Sequence, residues 1–419
     1  MSTSDVAIYV DLNGETYLAG FLWIAGGRRG ALTVTFRYAE SWLEHPCRFA
    51  IDPLLDITSA GSFHKDRLFG ALADSAPDRW GRTLMARAER LRAKEKGRAR
   101  RTLLDIDYVL GVSDLTRQGA LRFALTEGGD FLATPDAAAI PPLVELPRLL
   151  SAAQGLLDDP DSPEDLRILL APGSSLGGAR PKASVRGSDG RLAIAKFPRD
   201  ADTYSVCAWE HLALELARDA GIDTAESVLH SIGDREVLLL PRFDRDREIR
   251  IPFLSAMSLV DAVDGESRSY LEIAEVIRRI GASPRRDLHE LWRRLAFNVL
   301  ASNTDDHLRN HGFLYGGEGG WHLSPAYDLN PVPVEIKPRF LSTAIGEDAD
   351  DTSASLELAF EVAPYFDMEE DEARAVAREI ADVTVHWAER ARANGIAGSE
   401  IGLLASAFEH EDLDLARRS

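Results

Sequence analysis

Apolar residues repeat at every second position at the start of this chain and at every third or fourth position over most of its second half. Val6, Ile8, Val10 and Leu12 alternate with polar or small residues, Asn13-Gly14 follows, and the run TYLAGFLWI comes next. Alternation marks a half-buried strand, and Asn-Gly supplies the two positive φ angles of a type I′ turn, so the spacing predicts a hairpin. Leu32, Val34, Phe36 and Tyr38 alternate in the same way and add a third strand. The pattern turns helical from Phe69 to about Gly97 and again over Leu103–Leu110, before a stretch rich in Gly, Pro, Asp and Ala from Glu127 to Pro142 that reads as a linker. Lys182–Val185 and Leu192–Phe197 then flank Asp189-Gly190, which predicts a second hairpin. Val206, Trp209, Ala213, Leu216 and Ala220 return to helical spacing, with Gly221 placed as a C′ glycine. EVLLLPRF reads as another strand, and beyond Pro252 the chain is mostly helical, with Ser283 as an N-cap and Pro284 at N1 of one helix. This order is α+β: a small sheet with helices, a β-rich stretch with one helix, and a helical C-terminal part.

Length allows two or three domains in 419 residues. We expect an N-terminal domain over 1–125, a linker over 126–150, a β-rich segment over 151–250 and a helical one over 251–419. The formal charge of −20 disfavours a surface that grips phosphate backbones throughout, because nonspecific nucleic-acid affinity comes from Lys and Arg. That charge is uneven. Arg82 to Arg101 holds nine bases against two acids, whereas Glu347 to Glu372 holds eleven acids and no base. Such runs are most often solvated faces, and the basic one is otherwise a contact for an acidic partner. Cys47 and Cys207 are the only cysteines and form neither a disulfide framework nor a CxxC site. With no basic n-region before an apolar stretch, and no run of 18 apolar residues, the chain reads as cytoplasmic and without a membrane span.

Five features that carry chemistry fall in one order. Gly173 to Lys182, GSSLGGARPK, offers backbone N–H groups at Gly177, Gly178 and Ala179 that an anion can approach closely, although it lacks the Walker A pattern. Lys196, in AIAKF, shares a strand face with Leu192 and Ile194, where an ammonium needs either a partner or a route to water. Glu210, in the middle of a helix beside Trp209, is either that partner or a surface glutamate. Asp305 and Asn310, in NTDDHLRN, have the spacing of the Asp and Asn in the protein-kinase catalytic loop. There the Asp accepts a hydroxyl proton and the amide oxygen holds Mg²⁺. Asp328, in SPAYDLNP, lies 18 residues further on and would complete a Mg²⁺ site of hard oxygens with Asn310.

These segments resemble the HipA family, serine/threonine kinases of type II toxin–antitoxin modules. NTDDHLRNHGFLY and SPAYDL carry the resemblance most specifically, SSLGGARPK and AIAKF nearly so, and the Asn-Gly hairpin, FRYAESWL and DRWGR extend it to the N-terminal part. Ala76-Pro77-Asp78-Arg79 departs from the Pro-Asp-Gly usual near that place. The resemblance implies a two-lobed, protein-kinase-like fold behind the N-terminal domain, with ATP and Mg²⁺ as cofactors. It implies Lys196 as the phosphate-contacting lysine, Asp305 as catalytic base, and Asn310 and Asp328 as magnesium ligands. Pro241 and Phe243 would form the hinge whose backbone holds adenine, His307 would brace the loop, and Ser175, with Ser174 beside it, would be autophosphorylated. It also implies a HipB-like helix-turn-helix antitoxin through which the chain reaches DNA, and a protein substrate such as an aminoacyl-tRNA synthetase or another translation-linked protein. Two rival readings are a catalytically silent pseudokinase acting as co-repressor, and a metal-dependent phosphohydrolase built on Asp305, Asp306, His307 and His311.

Overall fold

The computed structural model describes residues 4–26, 32–59, 61–134, 140–170, 180–317 and 320–419. The chain forms two compact units, Met1–Asp200 with Leu239–Leu254, and Ala201–Leu238 with Ser255–Ser419.

In the first unit β1 (Ser4–Leu12), β2 (Glu15–Gly26), β3 (Leu32–Tyr38), β4 (Phe63–Lys65) and β5 (Leu121–Ala124) make an antiparallel sheet of order β4-β3-β2-β1-β5. The Asn-Gly hairpin forms as expected: Asn13 and Gly14 have φ of 54° and 85°, and Leu12 pairs with Glu15. Val6, Ile8, Val10 and Leu12 are all buried, together with Leu22, Val34 and Phe36 of the neighbouring strands.

The helices of this unit are α1 (Glu40–Leu43), α2 (Gly70–Asp74), α3 (Arg79–Glu95), α4 (Asp105–Gly111), α5 (Leu146–Asp158) and α6 (Pro163–Leu170). The helical pattern from Phe69 to Gly97 is thus two helices. Pro77 lacks the N–H and the steric room that a continuous helix would need there. Asp78 then caps α3 by accepting from the Gly81 N–H at 2.7 Å, and its carboxylate meets the buried ammonium of Lys182 at 2.9 Å. Part of the basic run on and just after α3 is answered inside this unit: Arg82 pairs with Asp105, Arg90 with Asp161, and Arg98 with Glu89, whose carboxyl it holds down to about 2. The second expected hairpin is β6 (Lys182–Arg186) and β7 (Leu192–Lys196), antiparallel from Lys182 opposite Lys196 to Arg186 opposite Leu192.

In the second unit α7 (Val206–Asp219) buries Trp209 and Leu212 and ends at Gly221, whose φ of 79° is the left-handed value a C′ glycine supplies. After β8 (Val228–Ile232), β9 (Arg235–Pro241) carries the chain back to the first unit for β10 (Arg245–Asp246), β11 (Ile249–Arg250) and most of β12 (Phe253–Ser255). The rest of the second unit is α8 (Ala256–Leu259), α9 (Tyr270–Ile280), α10 (Pro284–Leu300), β13 (Gly312–Tyr315), β14 (Trp321–Leu323), α11 (Leu356–Glu361), α12 (Glu370–Thr384), α13 (Trp387–Ala393), α14 (Gly398–Phe408) and α15 (Glu411–Arg418). Its centre is α10. Leu288, Leu291, Trp292, Leu295, Phe297 and Leu300 are all fully buried, and every residue from Arg294 to Leu300 is buried, so the C-terminal half of this helix lies inside the core while its first half keeps a charged face. It starts at Ser283 and Pro284 as the sequence predicts, although the Ser283 side chain makes no capping bond. No helix among the described residues is long and apolar enough to cross a membrane.

Candidate active site

Helix α10 ends at Leu300, and the chain leaves it through Ser302, which takes a left-handed φ of 48°. That turn delivers NTDDHLRN into a set of buried polar groups. Asn303 accepts from the Asn330 N–H at 3.0 Å and donates to the Asn298 side-chain oxygen at 2.9 Å; Asn298 in turn donates to the Tyr270 hydroxyl at 3.0 Å. The Tyr270 hydroxyl donates to the Asp306 carboxylate, which also meets His311 Nε2 at 2.7 Å. The backbone carbonyl of Asp306 accepts from Thr343 Oγ1 at 2.7 Å. Tyr270, Asn298, Asn303, Asp306 and His311 are each at most 2% exposed.

Such groups are costly in an apolar interior unless each finds its partner, and here they form one connected chain. Burial works to raise the Asp306 carboxyl, but the His311 charge, the hydrogen bonds from His311 and Tyr270, and His307 outweigh it and hold the group below the ordinary carboxylate range. Burial, and then the same carboxylate, push the Tyr270 hydroxyl well up.

With Asp306 turned inward, its neighbour Asp305 is exposed, between buried Thr304 and buried Asp306. The Asp305 carbonyl accepts from the His307 N–H at 2.9 Å and from the Asn310 side-chain amide at 3.3 Å, and Ser342 Oγ lies 3.5 Å from its carboxylate. Because Asn310 commits its nitrogen to that carbonyl, its amide oxygen is left as the acceptor end.

The segment around Asp328 is tied to this loop at two points. The Tyr327 hydroxyl donates to the Arg309 carbonyl at 2.6 Å, and Asn330 bonds Asn303 as above. Asp328 itself has a φ of 60°, a left-handed conformation that a non-glycine residue adopts at a cost, and accepts from the Asn330 side chain at 3.3 Å. Asp305, Asn310 and Asp328 are therefore carried on two segments joined to each other. Among the described residues no group of three or more His, Cys, Asp or Glu is placed to hold a metal. One amide oxygen and one carboxylate still fit Mg²⁺, which takes few protein ligands and fills its shell with water and phosphate oxygens.

The other residues singled out by sequence fall as follows. Lys196 ends β7 on its half-buried face, with Leu192 and Ile194, while Ala193 and Ala195 are buried on the other. Glu210 is 2% exposed on α7, so it is not a surface glutamate. Pro241 ends β9, and Phe243 is half-buried beyond it. The segment they share is fixed within the first unit by Arg242 and Asp244: Asp244 accepts from the Gly119 N–H at 2.8 Å, and Arg242 donates to the Thr116 carbonyl at 2.8 Å. Ser174, Ser175, Gly177, Gly178 and Ala179 lie outside the described residues. His307 and His311 share no helical face, because residues 308–310 form a single 3₁₀ turn and His311 is occupied by Asp306.

The sequence reading gave Tyr270, Asn298, Asn303 and Thr343 no role. Asn298, an amide inside the apolar run LWRRLAFNVLA, and Asn303, the first residue of NTDDHLRN, did leave a trace, whereas Tyr270 and Thr343 come from segments distant in sequence and left none.

Three comparisons bear on this arrangement. A chain of the Shewanella oneidensis MR-1 toxin–antitoxin system HipA, HipB and its operator DNA complex superposes with a TM-score of 0.65 at 15% identity, covering 99% of both chains, so the fold is shared. "Putative kinase Y4mE" of Sinorhizobium fredii is 26% identical over 268 residues, 54% of this chain and 62% of that protein. Toxin YjjJ of Escherichia coli K12 is 28% identical over 178 residues, 38% of each chain. The matches thus span less than two thirds of either curated relative. The model of the HipA-like C-terminal domain matches residues 174–388, a stretch that contains NTDDHLRN, SPAYDLNP and the α10 core. The chain belongs to the family of the HipA-like C-terminal domain.

Proposed function

We propose that this chain is an ATP-dependent serine/threonine protein kinase of a HipA-like toxin–antitoxin module. The observation that carries the reading is the opposed placement of two adjacent aspartates: Asp306 is locked inward on His311 and Tyr270, while Asp305 is held outward beside Asn310. In this reading Asp305 orients the acceptor hydroxyl and takes its proton. Lys196 contacts the triphosphate, and the backbone at Pro241 and Phe243 holds the adenine. Asn310 and Asp328 would hold Mg²⁺, which when bound offsets charge on the phosphates. Phosphoryl transfer asks a protein for little covalent chemistry, so positioning and electrostatics carry the catalysis. Residues 151–250 form the ATP-binding part, and 251–419 carry the catalytic loop.

The shared fold with a HipA–HipB–DNA complex supports a HipB-like helix-turn-helix antitoxin as partner, with DNA reached through it, and a cytoplasmic setting goes with that reading. The substrate class that goes with this reading is a translation-linked protein. Intact-mass spectrometry tests the reaction type: ATP and Mg²⁺ should add one phosphate to the chain, on Ser175 or Ser174, and EDTA should abolish the addition. A phosphohydrolase or a silent pseudokinase would leave the mass unchanged.

A further inference from the structure

Beyond Asp328 the chain runs through a segment whose polarity is reversed. In VPVEIKPRF, residues 332–340, the two cations turn toward the protein, while Val334, Ile336 and Phe340 are exposed along with Glu335. Lys337 is half-buried and donates to the Thr304 carbonyl at 3.0 Å. Arg339, also half-buried, donates to Ser302 Oγ at 3.1 Å and to the Val299 carbonyl at 2.9 Å, and pairs with Asp412 at 2.7 Å. Val334, Ile336 and Phe340 are 42%, 52% and 53% exposed. Eleven large hydrophobic residues are exposed among the described ones, and three of them fall within these seven positions. Single exposed apolar residues need no explanation, but a cluster on one segment does.

The position of the strip identifies what covers it. Its two cations bond the carbonyls and hydroxyl of residues 299–304, immediately before Asp305, and Ser342 follows with Oγ 3.1 Å from the Thr304 carbonyl and 3.5 Å from the Asp305 carboxylate. A protein that brings a hydroxyl to Asp305 comes close to this segment, because the segment is hydrogen-bonded to the residues that lead into Asp305. An ATP molecule is too polar to explain three outward aliphatic and aromatic side chains. A solvated turn would be expected to expose Lys337 and Arg339 instead.

We infer that Val334, Ile336 and Phe340 form the docking strip for the protein substrate, taking apolar side chains that flank its acceptor serine or threonine. The inference rests on the kinase reading and names the substrate chemistry that reading leaves open. It assigns these three residues to recognition alone, since none of them bonds the catalytic loop.

The experiment uses the full chain, radiolabelled ATP with Mg²⁺, and a positional-scanning library of peptides with a central serine or threonine. Wild type should select large apolar residues within a few positions of the acceptor. Ile336→Ser and Phe340→Ser should each lose that selection and about tenfold in kcat/KM for the best peptide, as expected for losing one apolar contact in a recognition pocket. Their KM for ATP and their thermal unfolding should stay at the wild-type values, because both side chains are exposed. Ile336→Thr provides a milder variant if either serine substitution lowers the melting temperature. Unchanged selection in the variants, or labelling of the chain itself with no apolar selection by wild type, overturns the docking strip alone. Absence of transfer from wild type to both the library and itself overturns the kinase reading, and the strip with it.

Discussion

Asp305 and Asp306 are chemically identical neighbours with opposite fates. The loop turns one into a buried chain of hydrogen bonds and leaves the other at the surface, and the stability consequences follow. Asp306→Ala leaves His311 and the Tyr270 hydroxyl buried without their shared acceptor, and breaking a buried pair of this kind costs about 3–5 kcal/mol. Asp305→Ala removes an exposed carboxylate and should stay within about 0.5 kcal/mol of wild type. Urea unfolding of both variants measures the difference. At this scale the sequence was partly legible. The Asp–Asn spacing picked out Asp305 and Asn310, but no pattern could say which aspartate faced inward, because that depends on Tyr270, Asn298 and Thr343 reaching the loop from other segments. The same limit held for Glu210, where one glutamate on a helix is compatible with the surface or the core until its neighbours are known.

Elements were read more securely than side chains. The Asn-Gly hairpin, the Asp-Gly hairpin, Gly221 as a helix stop and Pro284 as a helix start are local devices that need only a few adjacent residues. What was not legible is how elements meet. His410 is the N-cap of α15, and its Nε2 lies 3.2 Å from the Leu300 carbonyl at the end of α10, while Arg339 pairs with Asp412 in the first turn of the same helix. Burial, and then the Arg339 charge, lower the His410 imidazole to about 4. A histidine depressed below its unfolded value near 6.5 binds its proton more readily when unfolded. Its stabilising contribution is therefore complete above about pH 6.5 and is lost as pH falls toward 4. Between those values wild type should lose on the order of 2–3 kcal/mol relative to His410→Gln, which keeps a donor for the Leu300 carbonyl. Urea titrations of the two proteins at pH 7 and pH 4 give the comparison.

For the whole molecule, the charge of −20 argued against a surface built to grip nucleic acid, and the structure adds that three bases of the basic run are held in internal pairs with Asp105, Asp161 and Glu89. The α+β order was legible from hydrophobic period alone. The division into units was not: residues Leu239–Leu254 rejoin the first unit through long-range pairs such as Arg250 with Asp114 and Asp11, which no window of sequence contains. In the kinase reading proposed above, this fold holds a few groups still while a phosphoryl group moves, and Asp305 is the group on which that account depends. Transfer of label from γ-³²P-ATP by wild type and Asp305→Ala, with Mg²⁺–ATP affinity measured by calorimetry on the same samples, tests it most directly. The account predicts a loss of about 10²–10⁴-fold in transfer, the range for a general base, with ATP affinity within about twofold of wild type. Near-wild-type transfer by Asp305→Ala would contradict it.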